Sequence, residues 1–344
     1  MSGYGIEQRK QRWRDFVDFT KPPQHLFHIG FDPDSPAQPL PWPTLKAERI
    51  EWAWQRYVRQ RKAAEWLQDD RIPSLLVGTG TEIFAAAFGC PVQYPADTNP
   101  YARPLVFTAQ EAAALKTPHV ADTPLVMLFE MADELRRRAG PDAPFQIPDI
   151  QSPMDIAALI WNKTDFYLAM ADERQAVADL AAKVAELLTE FMDLWFTRYG
   201  RDFIAHYPYY YMPQGLTLSE DEVGAVSAGT FEQWFLPELA ALSRRYGGLG
   251  MHCCANAHHQ WNGFLKIPGL RVLNLVQPAE QTKEAYRFFA PHVAQAHNWC
   301  GDGPPETWPA RYPSGARVLM EPGASSRDEA MRLAEKLWAA CGRA

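Results

Sequence analysis

Apolar positions recur along this chain in two periods. Short apolar runs bounded by Gly, Pro, Asn or Asp predict strands, and longer stretches with apolar residues three and four apart predict helices. Residues Ile6 to Phe19 carry the helical spacing until Pro22-Pro23 stop it. His25 to Asp32 reads as a strand, and Thr44 to Asp69 as a long amphipathic helix with Thr44 as N-cap. Ile72 to Gly89 reads as strand, loop and helix; Cys90 to Pro104 is a surface excursion rich in Pro, Asn and Asp. Helices follow near 109–115 and 124–138. After Pro144 the alternation is cleaner, with strands at 145–150, 202–206, 250–254, 270–276, 293–298 and 316–320. Helices separate them at 154–162, 174–199, 230–246, 258–266, 281–289 and 326–340, the last with a capped start at Ser325-Ser-Arg-Asp-Glu. Such alternation implies parallel pairing with right-handed crossovers. Its repetition over this length predicts an α/β fold, a (β/α)8 TIM barrel, as one domain over 1–344 with residues 1–70 a partly helical N-terminal extension.

A barrel presents its chemistry from the loops after the strands. His28 and Asp32 follow the first strand. Asp221 and Glu222, in Leu218-Ser-Glu-Asp-Glu-Val223, follow an aromatic loop, Tyr207-Pro-Tyr-Tyr-Tyr-Met212. His252 and Cys254 end the run Gly247 to Cys254, and His297, Asn298 and Cys300 end a late strand. Asp221, Glu222 and His297 combine carboxylates with an imidazole, the usual equipment for proton transfer. Equally, Glu220 to Glu222 make a solvated acidic turn. His28, Asp32, Tyr209 and Tyr211 are the candidates for holding a substrate, the tyrosines by stacking on a planar one; packing at the barrel mouth accounts for the same residues.

His252 and Cys254 stand at i and i+2, so an extended backbone turns both to one face, where they can grip a soft cation such as zinc. Two ligands do not complete a zinc site, and adjacent cysteines are also common as small buried hydrophobes, the role expected of Cys253. Gly78-Thr-Gly80 lacks the third glycine of a dinucleotide fingerprint and the lysine of a P-loop, and reads as a tight turn.

The 344 residues, 47% hydrophobic, are enough for a large core. A formal charge of −7 without a long basic run excludes nucleic acid as the expected partner. Five cysteines, an odd number with two adjacent, argue against a secreted disulfide framework. The start Met-Ser-Gly-Tyr-Gly-Ile-Glu lacks the apolar stretch of a signal peptide, and no apolar run reaches membrane-spanning length, so a cytoplasmic protein with no membrane partner is expected.

Several stretches resemble the uroporphyrinogen decarboxylase (URO-D) superfamily of (β/α)8 barrels. Gly80-Thr-Glu-Ile-Phe-Ala-Ala-Ala-Phe-Gly-Cys-Pro-Val92 is similar to its early "G…a..FG.pv" segment. Asp221 to Pro237 resembles "D…lSpe.f.ef..P", which places Ser227 among the substrate-binding positions. Gly248 to Asn256, followed by Ile267-Pro-Gly-Leu270, resembles its "g…H.CGn" strand end. The decarboxylase carries an arginine-rich loop after its first strand for the substrate's carboxylates. Here that place reads His28-Ile-Gly-Phe-Asp-Pro-Asp-Ser35, with two acids and no arginine, which would repel a polyanionic porphyrinogen. The corrinoid-linked methyltransferases of the superfamily hold zinc with an H-x-C pair and a later cysteine. His252 and Cys254 match the pair, while Pro322-Gly-Ala-Ser-Ser326 puts Ala324 at the later cysteine; Cys300, Glu280 and Cys341 are the other candidates for a third ligand.

The resemblance thus implies a methyl or alkyl transferase that activates a thiol at a His/Cys zinc site, with a small-molecule substrate and a corrinoid protein as partner. A metal-free decarboxylase or lyase of a small organic acid or tetrapyrrole-like substrate is the alternative. A barrel that binds a ligand without catalysis is the third reading.

Overall fold

In the computed structural model, which describes residues 5–343, the chain is an α/β fold built on short parallel strands. Leu75–Leu76 pairs with Phe145–Gln146, and Gln146 pairs with Ile204. Gln151 bridges to Ser219, at the end of the strand Leu216–Ser219. That strand pairs with Leu249–Cys253, which pairs in turn with Leu270–Leu275. Leu273 lies against Gln295, Gln295 against Val318, and Leu319 against Leu26. The pairings therefore run nearly full circle, from residue 75 round to residue 27, but the predicted barrel does not close. Among the described residues no ladder joins Leu26–Phe27 to Leu75–Leu76. Side chains take its place at this seam: Phe27 N–H donates to Asp70 Oδ2 at 2.8 Å, and Ile29 N–H to Asp69 Oδ2 at 3.0 Å.

Alternation along the strands sorts their side chains into two layers. Leu26 and Leu319 belong to the main core, whereas their neighbours Phe27 and Met320 pack with Leu333, Ala334 and Leu337 of the C-terminal helix Arg327–Ala340. Helix Arg174–Tyr199 runs 26 residues without Gly or Pro and buries one face, including Val177, Leu188, Phe191 and Trp195.

Several predicted boundaries move. The helix after the first strand is Lys46–Ala64, and Thr44 lies inside the 3-10 turn Pro43–Leu45 that precedes it, so Thr44 is not its cap. The excursion over 90–104 contains a small antiparallel ribbon, Val92–Gln93 with Tyr101–Ala102. Helix Lys163–Asp172, capped by the Asn162 side chain, and strand Leu216–Ser219 were not foreseen. The helix predicted at 258–266 is a 3-10 turn followed by the four-residue piece Trp261–Phe264. Among the described residues, no helix is long and apolar enough to cross a membrane.

Candidate metal centre at a strand end

Gly247, in the left-handed region at φ +86°, ends the helix Leu236–Tyr246 and turns the chain into the strand Leu249–Cys253. The strand is buried until its last residues, where the pleat separates the three thiol and imidazole side chains. Cys253 is fully buried, while His252 is half-buried and Cys254 exposed. The neighbouring strand sets what meets them. Ser219 is in register with His252, so Asp221, two residues on, arrives opposite Cys254. Asp221 Oδ1 accepts the Cys254 backbone N–H at 2.6 Å, and Oδ2 accepts the Cys254 thiol at 3.0 Å. One ligand atom each from Asp221, His252 and Cys254 lies within 4.8 Å of the others. Burial, then the bond to Asp221 and its charge, push the Cys254 thiol up to about 12. Without a cation the thiol therefore keeps its proton and donates it to the carboxylate.

On the other side His252 is in register with Asn274. The Asn274 amide donates to the Ala296 carbonyl, which turns its oxygen Oδ1 toward His252 Nδ1. His252 Nδ1 is then the donor of that pair, and Nε2 is left as an acceptor, the tautomer a metal ligand needs. Beneath the site, the buried Asp155 carboxylate accepts the backbone N–H groups of Asp221 (2.7 Å) and Glu222 (2.9 Å), which fixes the turn that carries Asp221. The Tyr207 ring stands 5.3 Å from the His252 ring, nearly perpendicular, and forms a wall. Asp149 and His206 lie beside it, with Asp149 Oδ1 3.1 Å from His206 Nε2. Burial first, then the charge of Asp221, raises Asp149 to about 6, and burial followed by His252 lowers His206 to about 3.

The other predicted site residues separate. Glu222 turns to Lys163 (2.6 Å) and to the Tyr167 hydroxyl, away from Asp221. His297 is fully buried with both ring nitrogens engaged. Nδ1 accepts the Leu275 N–H at 3.0 Å, Nε2 faces Gln295 Oε1 at 2.9 Å, and burial lowers its pKa to about 3. It has no nitrogen to spare for a substrate proton, so the trio Asp221, Glu222 and His297 does not assemble. His28 is buried against Trp13, with Glu321 3.6 Å from its Nδ1, rather than presented at an open mouth. Asp32 pairs with Arg59 at 3.2 Å. Tyr211 is buried, bonded to Asp202 at 3.1 Å, and Ser227 caps a short helical turn by accepting the Thr230 N–H. Tyr209 lies in the left-handed region at φ 69°, its ring under the Arg56 guanidinium.

The candidates considered for a third ligand lie elsewhere as well. Glu280 binds Lys283, the Cys300 thiol faces the Leu319 carbonyl, and the Ala324 backbone bonds to Gly30. The third donor is Asp221, expected from the sequence as a proton carrier. Asn274, Asp155, Asp149 and His206 were missed. A lone Asn in the apolar run Leu270 to Val276 and an Asp and a His at two strand ends were the visible signals.

The donor set suits zinc chemically: one imidazole nitrogen, one sulfur and one carboxylate oxygen leave a fourth position open. Residues 76–290 match the family model described as uroporphyrinogen decarboxylase (URO-D). No curated protein matches the chain. Among solved structures, a methyltransferase from Methanosarcina mazei is 11% identical with a TM-score of 0.64, and the match covers 98% of this chain and 98% of that chain. At that identity the likeness is one of fold.

Proposed function

Because the chain belongs to the uroporphyrinogen decarboxylase (URO-D) family, we propose that it is an enzyme that transfers a methyl or alkyl group to a thiol, with Asp221, His252 and Cys254 as ligands of a zinc ion. The observation that carries this reading is the convergence of three different donor atoms on one point from two adjacent strand ends. The structural likeness to a methyltransferase supports it. The ring of strands is read as the family's (β/α)8 barrel with one seam held by carboxylates instead of a ladder.

When bound, zinc would lower the pKa of a thiol at its open position and hold the thiolate ready for attack. The chain's own residues prepare for that. Asn274 fixes the His252 tautomer, Asp155 fixes the turn that carries Asp221, and Asp221 accepts the hydrogen bond of the Cys254 thiol, whose proton a bound cation would displace. Tyr207 walls one side of the site. The transfer forms a carbon–sulfur bond as the donor's bond to carbon breaks, its electron pair staying with the donor, and the acceptor thiol's proton leaves to solvent. A corrinoid carried by a partner protein fits the donor's part.

Cobalt(II) tests the metal directly. Added to chelator-treated protein, it is expected to give a thiolate charge-transfer band that Cys254→Ser abolishes, Asp221→Asn weakens and Cys253→Ser retains. With methylcobalamin and 2-mercaptoethanol, zinc-loaded protein should form the thioether, and Asn274→Ala should slow it by roughly tenfold or more through the loosened imidazole. No band in the unaltered protein, or equal loss in both cysteine variants, overturns the reading.

A further inference from the structure

The seam between the first two strands holds a cavity of about 340 Å³, and its charges do not balance. Four arginines, Arg9, Arg56, Arg59 and Arg71, line it against two aspartates, Asp32 and Asp69. The aspartates are taken: Asp32 by Arg59 at 3.2 Å, and Asp69 by Arg9 at 3.2 Å, with Arg71 3.9 Å away. Arg56 is left over. Its guanidinium donates to the Ser74 carbonyl and to Gln146 Oε1, both neutral acceptors and both at 3.3 Å. No carboxylate lies within 4.0 Å of it among the described residues. Burial lowers its pKa to about 10, and the like charges of Arg71 and Arg59 add to that effect, with Asp32 and Tyr209 opposing.

A sunken cation without a counter-charge is costly unless something supplies one. A guanidinium has five N–H donors in a planar fork that matches a carboxylate, and two long bonds to neutral groups leave most of that capacity unused. The rest of the lining includes the apolar side chains of Phe31, Leu67 and Pro73 and the Tyr209 ring, which lies 5.8 Å from the Arg56 guanidinium. We propose that this cavity binds a small organic carboxylate, its charged end on Arg56 and its apolar or aromatic body against Tyr209 and these apolar side chains. The apolar lining favours an organic acid over inorganic phosphate, which would bury no apolar surface there. Arg9 comes from the helix Ile6–Val17, Arg56 and Arg59 from the helix Lys46–Ala64, and Arg71 from the lead-in to the second strand, none of them from a loop after the first strand. The site is independent of the metal reading, because its test needs neither a metal nor a methyl donor.

Titration calorimetry in low-chloride buffer at pH 7, with benzoate, benzamide and inorganic phosphate as probes, decides the matter. Benzoate is expected to bind, and its uncharged isostere benzamide to bind at least tenfold more weakly. Arg56→Gln should lower benzoate affinity at least tenfold. Ala63→Leu, which narrows the same cavity without touching a charge, should weaken benzoate as well and keeps the question open to refutation should Arg56→Gln not fold. Equal binding of benzoate and benzamide, binding of phosphate but not benzoate, or unchanged benzoate affinity in both variants overturns the proposal.

Discussion

Glu82 is a carboxyl group that the fold keeps largely away from water. It is 6% exposed, and its Oε2 is buried with no hydrogen-bond partner. Burial raises its pKa to about 7 against the opposing pull of its own backbone N–H and then of the Arg49 charge. Between the ordinary carboxyl range, near ~4.3, and pH 7, the folded chain therefore keeps a proton that the unfolded chain has released. Stability from this group is complete at low pH and is lost as the pH rises through 7. Glu82→Gln carries the neutral form at every pH. Between pH 5 and pH 8 the parent should lose on the order of 2 kcal/mol relative to this variant, read from urea unfolding of both proteins at each pH. A difference that stays constant with pH refutes the idea. Asp221 shows the limit of reading single residues. Its type and its place near a strand end were visible, but its role depends on facing Cys254, 33 positions away, and only the Ser219 to His252 register brings that about. Cys253 and Cys254, by contrast, were separable from the pleat alone, because two-residue periodicity acts within one strand.

At the scale of elements, the strand Leu249–Cys253 and the aromatic loop shape each other. Tyr210 is fully buried, and its hydroxyl presses on the backbone of Gly250, where an added Cβ would meet both that oxygen and the Thr217 methyl. Gly250→Ala is therefore expected to destabilise the protein by about 1–3 kcal/mol through overpacking. Tyr210→Phe removes the oxygen, so the double variant should recover part of the loss in the same denaturation assay. Additive losses would show that the two positions do not touch. The same strand environment explains an element that escaped sequence reading. Leu216–Ser219 is buried at all four positions, so its alternation of Leu with Thr and Ser carries no inside-outside contrast. Helix Lys163–Asp172 escaped for another reason: only its cap, Asn162, separates it from Trp161, which pairs with Val106, and its buried positions are few. Helix Arg174–Tyr199 was legible end to end because one long stripe of its surface is core.

For the whole molecule, the seam where the barrel does not close is organised around Asp70. It is fully buried, and it replaces a strand ladder at the seam by accepting the Phe27 N–H at 2.8 Å. The same carboxylate holds Arg12, from the helix Ile6–Val17, at 2.8 Å and Arg343, near the end of the chain, at 3.0 Å. Its backbone is engaged too: its N–H donates to the Phe27 carbonyl, and its own carbonyl accepts the Trp13 indole. One side chain thus ties the first helix, the first strand and the C-terminal segment to the point where the circle of strands is incomplete. No local pattern could announce this, since the three partners lie 43 to 273 residues from Asp70. Asp70→Ala leaves two arginines and one strand N–H without their partner, and losing one member of a buried ionic cluster costs about 3–5 kcal/mol. Asp70→Asn keeps the shape and the acceptor oxygen for Phe27 but not the charge, and should cost less. Both values come from denaturant unfolding. Limited proteolysis supplies the structural half of the prediction: in Asp70→Ala, cleavage within residues 6–17 should become faster than in the parent, because the helix loses Arg12's anchor while Arg9 keeps Asp69. If the alanine variant unfolds at the parent's denaturant midpoint, the seam is held by packing alone, and the carboxylates are guests in it.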